Sequence, residues 1–286
     1  MYKREKNIKV LIIWRGPSPY RVDFFNELGK LCDLTVLFER RPDQITDKEK
    51  SWFHEDFTHF KGIYLKSITF RNTAFSLEQF KYLRKNAEYD YIVIGMYSTF
   101  IQMSSLLYLK LFKIPYLLNS DGGFIKKENK ITYYIKRFFI SGAKAYLSSS
   151  KGTSKYLQYY GANNKIMVYP FTTSFQKDVY KNLTAEDKLK YKKILGIKYN
   201  VIILFSGQFI YRKGVDILLK AAKNISKQCG IYIVGGEPTR EYLSLCKENN
   251  LNNVHFIGFT PPQDLAQYYI AVSYTHLRAH ETLANL

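Results

Sequence analysis

The stretch Val201-Ile-Ile-Leu-Phe-Ser-Gly-Gln-Phe-Ile-Tyr-Arg-Lys-Gly-Val-Asp-Ile-Leu-Leu-Lys-Ala221 decides the fold. Its first five residues form an unbroken apolar run, which is typical of a parallel strand buried on both faces. A turn between Gly207 and Gly214 follows, and a helical pattern then runs over residues 215–226. The order of strand, turn and helix predicts one unit of a parallel, doubly wound sheet.

The turn at residues 207–214 contains residue types that can hold a diphosphate. Glycines let the backbone turn tightly and approach a ligand closely. Lys213, with Arg212 beside it, lies at the start of the helix, where free N–H groups and a cation can face the same phosphate oxygens. The turn is not a Walker A loop, because its spacing of Gly, Lys and Ser/Thr is different. By spacing alone, a solvated turn remains an alternative.

The same alternation of strands and helices extends in both directions from this stretch. Further strands are predicted at residues 8–14, 34–38, 91–94, 115–118, 145–148, 166–169, 231–234 and 254–257. Further helices are predicted at residues 77–86, 104–112, 133–140, 154–160, 240–249 and 262–270. The sequence therefore predicts an α/β fold with two Rossmann-like domains, at residues 1–180 and 181–271, separated near a polar stretch at residues 172–193.

Residues 272–286 depart from this pattern. They have no strand character, and the second domain then contains about three strands, where a complete Rossmann domain needs roughly six. Residues 273–282 also resemble the translated adapter sequence found at the ends of some metagenome-derived reading frames. We therefore expect a non-native tail and an incomplete second domain. A genuine short tail is the alternative.

Composition narrows the class of partner. The formal net charge is +19, but the lysines are spread along the chain and form no basic tail, so nucleic acid is disfavoured as a partner. Three explanations of the positive charge remain: binding of phosphorylated substrates, binding to an anionic membrane surface, or simply a lysine-rich solvated surface. The three cysteines, Cys32, Cys229 and Cys246, are odd in number and form no CxxC pair. They predict reduced thiols in a cytoplasmic protein.

Three sequence blocks, in order, carry a family resemblance. Residues 205–221, then Tyr232-Ile-Val-Gly-Gly-Glu-Pro238, then Asn253-Val-His-Phe-Ile-Gly-Phe259 resemble the family-4 retaining glycosyltransferases, which have the GT-B fold. In the N-terminal half, Pro17-Ser-Pro-Tyr-Arg21 and Asn119-Ser-Asp-Gly-Gly-Phe124 resemble capsular and exopolysaccharide glycosyltransferases. The resemblance covers residues 8–271.

The resemblance implies a donor and an acceptor. The donor is an NDP-sugar, and its sugar passes, with retention of configuration, to a glycan or lipid-linked acceptor in cell-surface polysaccharide synthesis. Lys213 corresponds to the lysine that contacts the donor diphosphate. The family's usual assisting arginine is replaced by Gln208, which can donate a hydrogen bond but carries no charge, so Arg212 is expected to compensate.

Other site residues follow from the same resemblance. Gly236, Gly258 and Phe259 match places where the family positions the nucleotide, and the loop at Gly16 matches the loop that closes over the donor. Asp121 is the best polar replacement for a histidine that faces the sugar in many members. An Asp before two glycines serves equally well as a cap or turn residue, and this alternative stays open.

The sequence lacks one feature of this family, and it also lacks the metal-binding motif of the separate GT-A class. The chain ends before the two glutamates, eight positions apart, that act near the anomeric carbon and the ribose, and Glu281 in the aberrant tail is no substitute. We therefore expect an incomplete, inactive donor site, and a non-catalytic module that binds nucleotide or membrane is the alternative. No Asp-x-Asp motif is present, so no metal and no cofactor are expected.

One segment suggests where the chain could meet a membrane. Residues 126–137 are basic, and they overlap an aromatic and apolar stretch at residues 133–140. This pattern fits an interfacial helix on the inner face of a membrane, and it fits equally an ordinary helix packed on the sheet.

Overall fold

The computed structural model describes residues 8–44, 55–70, 73–169, 183–272 and 274–276 of the chain. The chain divides into two compact units, Met1–Phe175 and Gln176–Leu286. The predicted domain boundary, between residues 180 and 181, falls on a segment outside the described residues and stays a prediction. Residues 273 and 277–286 of the suspected tail also lie outside the described residues.

The first unit is built on a parallel sheet. Its described strands are β1 (Lys9–Trp14), β2 (Asp33–Phe38), β3 (Lys61–Tyr64), β4 (Ile68–Phe70), β5 (Thr73–Phe75), β6 (Tyr91–Ile94), β7 (Leu117–Ser120), β8 (Ala145–Ser148) and β9 (Ile166–Val168). Seven of them form one parallel sheet in the order β3-β2-β1-β6-β7-β8-β9, while β4 and β5 form a separate antiparallel pair. The order reverses between β1 and β6, as in doubly wound folds.

Helices connect these strands and cover both faces of the sheet. They are α1 (Pro19–Gly29), α2 (Gln79–Leu83), α3 (Phe100–Leu111), α4 (Lys130–Ile140) and α5 (Lys151–Tyr159). Strand β1 shows the two-sided burial, since Leu11 and Ile13 belong to one hydrophobic core and Ile12 and Trp14 to another. A parallel strand covered on both faces explains why its sequence is a continuous apolar run.

The second unit repeats the arrangement on a smaller scale. Its described elements are α6 (Ala185–Ile194), β10 (Val201–Ser206), α7 (Val215–Ala222), β11 (Cys229–Val234), α8 (Arg240–Glu248), β12 (Val254–Gly258), α9 (Pro262–Ala271) and β13 (Tyr274–His276). The parallel sheet has the order β12-β11-β10-β13. Phe205 and Leu204 on β10 are buried in separate cores on opposite faces.

Strand β13 corrects one prediction. Residues 272–286 were expected to have no strand character, yet Tyr274–His276 pairs in parallel with β10, and Ile203 is the partner of Tyr274. The second sheet therefore has four described strands instead of three. The free edge of β10 offers backbone N–H and C=O groups that any extended segment can pair with, and this needs no apolar pattern in the added segment.

Several predicted boundaries shift because of local hydrogen bonding. The predicted strands at 91–94 and 145–148 are confirmed. The helix predicted at 104–112 begins at Phe100, because the Thr99 hydroxyl accepts the N–H of Gln102 and caps it there. Helix α2 covers only Gln79–Leu83, half of the predicted 77–86. Among the described residues, no helix is long and apolar enough to cross a bilayer.

Candidate functional site

The carboxyl ends of β10, β11 and β12 meet at one edge of the second sheet. The N–H of Gly207 donates to the carbonyl of Val234 at 2.9 Å, and the N–H of Gly235 donates to the carbonyl of Gly258 at 2.7 Å. These bonds tie the loop after each strand to the end of the neighbouring strand. The edge is therefore a fixed backbone platform, in the place where open α/β sheets bind ligands.

Glycine is sterically required at only some positions of this platform. At Gly235, φ is 124° and an added Cβ would lie 2.4 Å from the carbonyl oxygen of Gly207, which is closer than atoms can approach. Gly214 has a left-handed φ of 69°. At Gly207 an added Cβ would make only ordinary contacts, the nearest at 3.6 Å from Phe205. Glycine at residue 235 therefore lets the two loops approach each other, and the close approach of Gly207 to a ligand stays a prediction.

The predicted diphosphate residues lie between this platform and helix α7. Residues Tyr211–Lys213 form a single 3₁₀ turn, and α7 starts directly after Gly214. Lys213 is half-buried, and its Cδ lies 3.8 Å from the position that a Cβ on Gly207 would take. Gln208 is exposed on the same loop. Arg212 lies in the 3₁₀ turn, but its side chain is outside what the structure describes.

Helix α7 begins without a side-chain cap. Gly214 is its N-cap and has no side chain to offer, whereas hydroxyl or amide side chains cap α3, α4, α5, α6 and α8. The N–H groups of the first turn of α7 are thus left without a side-chain acceptor from the cap, and they carry the positive end of the helix dipole. Such an end binds anions, although Asp216 in the first turn offsets part of its charge.

The predicted nucleotide residues belong to the same edge. Gly236 is buried against the ring of Phe209, whose Cγ would lie 3.2 Å from an added Cβ. Gly258 has a left-handed φ of 71° and lies beside the Glu237 carboxylate. Phe259 follows it and is half-buried. The structure therefore brings Gln208, Lys213, Gly236 and Gly258 to one sheet edge, as the sequence predicted, and their roles there stay predictions.

Asp121 lies in the first unit, where it is held by a buried arginine. Arg21 on α1 is 2% exposed and forms an ion pair with Asp121, whose side chain is 31% exposed. The Asn119 amide donates to Oδ1 of Asp121 at 3.0 Å, and the hydroxyl of Tyr169 donates to the same oxygen at 3.3 Å. The Arg21 guanidinium lies over the Trp14 ring, with 4.2 Å from Cζ to the ring centroid.

These contacts bear on the two alternatives for Asp121. The turn after β7 is closed by Ser120, whose hydroxyl donates to the carbonyl of Gly122 at 2.9 Å. The Asp121 carboxylate instead points to Arg21, with both of its oxygens accepting hydrogen bonds. The two partners are 100 positions apart in the sequence, and no local motif indicates their pairing. Gly16 lies at the same sheet edge, in the loop between β1 and α1.

The cysteines and the metal-ligating residue types add no further site. Cys32, Cys229 and Cys246 are free thiols, and burial raises the pKa of each. Such thiols are weak nucleophiles at neutral pH. Within the described part of the chain, no group of three His, Cys, Asp or Glu side chains is placed to hold a metal ion.

The second unit also matches a known family. Residues 187–279 match the model for glycosyl transferases group 1. This group 1 segment contains the whole glycine platform, Lys213 and helix α7. A region of 93 residues is 30% identical to an uncharacterized glycosyltransferase of Methanocaldococcus jannaschii, and it covers 31% of this chain and 24% of that protein. The chain thus spans about a quarter of the length of this curated relative.

Solved structures extend the similarity beyond the group 1 segment. The chain is similar to HepE of Anabaena, crystallised with UDP and glucose, with a TM-score of 0.68 and 16% identity over 94% of this chain and 73% of that chain. A glycosyltransferase from Rickettsia africae gives a TM-score of 0.65 with 16% identity over 95% of this chain and 73% of that chain. At this identity the likeness concerns the fold. The α/β fold with parallel sheets, of the GT-B type, is confirmed.

Proposed function

We propose that the protein is a glycosyltransferase that moves a sugar from an NDP-sugar to a glycan or lipid-linked acceptor in cell-surface polysaccharide synthesis. The observation that carries the proposal is the second unit's platform. Three strand ends are tied together by glycine backbone, and a half-buried lysine and a helix start without a side-chain cap lie beside it. All of these lie inside the segment that matches group 1 glycosyl transferases.

The platform is suited to a diphosphate leaving group. Lys213 and the first-turn N–H groups of α7 would face the phosphate oxygens and offset the charge that develops as the sugar departs. Gln208 would add a neutral hydrogen bond, and Arg212 a second cation. Gly236, Gly258 and Phe259 would hold the nucleoside. The similarity to HepE, whose crystals contain UDP and glucose, supports a nucleotide-linked donor.

The first unit would hold the acceptor and complete the site. Asp121, oriented by Arg21, would face the transferred sugar, and the Gly16 loop would close over the donor. Transfer with retention of configuration and without a metal ion or other cofactor is part of the proposal, on the family resemblance alone. The assignment of residues 1–180 to acceptor binding and 181–271 to donor binding has the same basis.

A membrane-facing helix is part of the same proposal. On α4, Ile131, Tyr134, Ile135 and Phe138 recur at helical spacing and are all exposed. Lysines 126, 127 and 130 stand at the start of this helix. An exposed apolar stripe beside basic residues fits the surface of an anionic membrane, where a lipid-linked acceptor would lie. We therefore place the protein in the cytoplasm, peripheral on the inner face of the membrane.

Sedimentation with lipid vesicles tests this surface. The protein should sediment with phosphatidylglycerol vesicles, less with phosphatidylcholine vesicles, and the double variant Ile131→Ser, Ile135→Ser should lose about tenfold in binding. Leu243→Ser, which removes an exposed leucine from α8, is the matched control. Equal binding of the double variant and the wild type would show that α4 is not the contact.

The alternative is a non-catalytic module that binds nucleotide or membrane without transfer. Two measurements distinguish the module from the enzyme. For the module, calorimetry would detect UDP or GDP binding, and a transfer assay would detect no sugar transfer. Binding together with transfer supports the enzyme.

Replacement of Lys213 tests the donor site. Because a hydrogen bond between charged groups is lost, Lys213→Ala should weaken UDP binding about tenfold or more, measured by calorimetry. Any transfer activity should fall by about a hundredfold. Lys223→Ala removes the same charge at the far end of α7 and should change neither quantity. If Lys213→Ala binds UDP like the wild type, or the wild type binds no nucleotide, the assignment fails.

A further inference from the structure

The first sheet has a second feature at its carboxyl edge, at the ends of β1 and its two neighbouring strands. Arg15 directly follows β1, Glu39 and Arg40 directly follow β2, and Ser98 and Thr99 lie between β6 and α3. Strands β2, β1 and β6 are neighbours in the sheet, and the strand order reverses between β1 and β6. Residues from three strand ends therefore meet at the switch point of the sheet, the preferred ligand site of this architecture.

A cavity opens between these residues. Its volume is about 180 Å³, and its polar lining among the described residues consists of Arg15, Glu39, Arg40, Thr73, Ser98 and Thr99. This volume equals that of about six water molecules and lies below the roughly 300 Å³ of small-molecule pockets. The cavity is therefore too small for a nucleotide. It can take a single ring with its hydroxyl groups.

The acidic group in this cavity is held rigidly. Glu39 is 1% exposed, and one of its carboxylate oxygens accepts a hydrogen bond from the Thr99 hydroxyl at 2.9 Å. The same hydroxyl accepts the N–H of Gln102 and so caps α3. The two loops are joined by backbone bonds, from the N–H of Glu39 to the carbonyl of Trp14 and from the N–H of Arg40 to the carbonyl of Arg15. A ligand would meet a preformed site.

The cavity brings one carboxyl group together with two guanidinium groups. Burial raises the pKa of Glu39 to about 7, against the opposing influence of hydrogen bonds from Thr99 and Gln102 and of the charges on Arg15 and Arg40. Near neutral pH, Glu39 is therefore only partly ionised, while both arginines keep their charge. The cavity thus presents two guanidinium groups, a carboxyl group that can both donate and accept hydrogen bonds, and several hydroxyl groups.

We propose that this cavity binds one sugar ring that carries an acidic group, and that it holds the end of an anionic glycan acceptor. Arg15 and Arg40 would pair with the acidic group, while Glu39 and the hydroxyls of Thr73, Ser98 and Thr99 would bond to the ring hydroxyls. The acidic group is a carboxylate or a phosphate, since either fits a guanidinium. The acceptor role rests on the proposed function. The binding of an acidic sugar does not.

Ligand-observed NMR on the full chain tests the site without any donor. The probes are glucuronate, glucose 6-phosphate, glucose and inorganic phosphate. Because a charge-assisted pair is added, glucuronate or glucose 6-phosphate should bind about tenfold or more tightly than glucose. The preferred probe identifies the acidic group. Equal binding of glucose and both acidic sugars overturns the proposal, and so does inorganic phosphate that binds as tightly as glucose 6-phosphate.

Two variants locate the binding. Arg15→Met changes an exposed residue, leaves the fold intact and should weaken the preferred acidic sugar about tenfold, with glucose unaffected. Glu39→Gln should weaken glucose and the acidic sugar alike, because it alters the bonds to the ring. Arg84→Met, an exposed arginine of the same unit outside the cavity lining, is the control. Unchanged binding in Arg15→Met shows that the sugar binds elsewhere and overturns the proposal.

The result separates this inference from the proposed function. If acidic-sugar binding depends on Arg15 but neither UDP binding nor transfer is observed, the cavity is a carbohydrate-binding site and the proposed enzyme activity is refuted. If UDP binding depends on Lys213 but no acidic sugar binds, the donor site is supported and the sugar-binding role of this cavity is refuted. If both hold, the acidic sugar should compete with the acceptor in a transfer assay, and absence of competition would refute the acceptor role.

Discussion

The two sheet edges present different chemistry. At the first sheet, side-chain partners hold the charged groups at the strand ends: Thr99 bonds to the buried Glu39, and the buried Arg21 of α1 pairs with Asp121. At the second sheet, the strand ends carry glycines, and Gly207, Gly235 and Gly258 hold one another by backbone contacts. The first edge is shaped by contacts of charged side chains with residues far away in the sequence. The second is shaped by steric contacts within the backbone of its loops.

This difference fits the division of work that we propose. A diphosphate is common to every NDP-sugar, and backbone N–H groups with one lysine recognise it without regard to the attached sugar. Acceptors differ in their hydroxyl and acidic groups, and only side chains can be exchanged to select among them. Changes at the first edge should therefore act through charge and pH, while changes at the second should act through shape.

The largest effect is expected from the buried ion pair. Asp121→Asn removes the carboxylate that pairs with the buried Arg21 guanidinium, which should lower the free energy of unfolding by about 3 kcal/mol, the lower end for a buried pair because Asp121 is partly exposed. Urea unfolding measures it. The control is Glu27→Gln, which breaks an exposed pair with Lys30 and should cost less than about 0.5 kcal/mol. If both variants lose a similarly small amount of unfolding free energy, the claim that charge shapes this edge is refuted.

Next in size is a pH-dependent effect at Glu39. Because its folded pKa of about 7 exceeds the ordinary 4.5, the folded state binds more protons than the unfolded state between these values, and stability falls as the pH rises through that window. Relative to Glu39→Gln, the wild type should lose about 2.5 kcal/mol of unfolding free energy between about pH 5 and about pH 8. Urea unfolding at both pH values measures it.

The control for this experiment is Glu88→Gln, which neutralises an exposed carboxylate in the same unit. Its difference from the wild type should stay constant within about 0.5 kcal/mol over the same range. If the Glu39→Gln difference is equally constant, burial does not raise the pKa of the Glu39 carboxyl, and this group cannot donate a hydrogen bond in the cavity near neutral pH.

The two edges also differ in how far the sequence predicts them. The glycine turn at residues 207–214 could be predicted because strand, turn and helix start are contiguous, so that spacing alone specifies the local geometry. Strands buried on both faces were predicted for the same reason, as at Tyr91–Ile94 and Ala145–Ser148. Strand β13 was missed because edge pairing depends on backbone groups and leaves no apolar pattern.

The first edge could not be predicted from spacing. Arg21 and Asp121 are 100 positions apart, and Thr99 is 60 positions from Glu39. Each of these residues, taken singly, has the pattern of an ordinary loop or helix residue. Only the strand order of the sheet makes them neighbours. Even at the second edge, a contact between two loops escaped the sequence, since only the structure shows that Gly235 packs against the carbonyl of Gly207.

This contact between glycines supplies the third prediction. Gly235→Ala puts a Cβ against the Gly207 carbonyl at a φ of 124°, so the free energy of unfolding should fall by about 2 kcal/mol and UDP binding should weaken as the platform shifts. Gly207→Ala adds the same methyl group without a clash and should change stability by less than about 0.5 kcal/mol. Urea unfolding and calorimetry measure the pair. If Gly207→Ala is the more damaging variant, the backbone of residue 207 rather than that of residue 235 sets the shape of the edge. A methyl group that blocks UDP at Gly207 without loss of stability would instead show the diphosphate lying directly on that residue, which sharpens the assignment of the second edge to the donor.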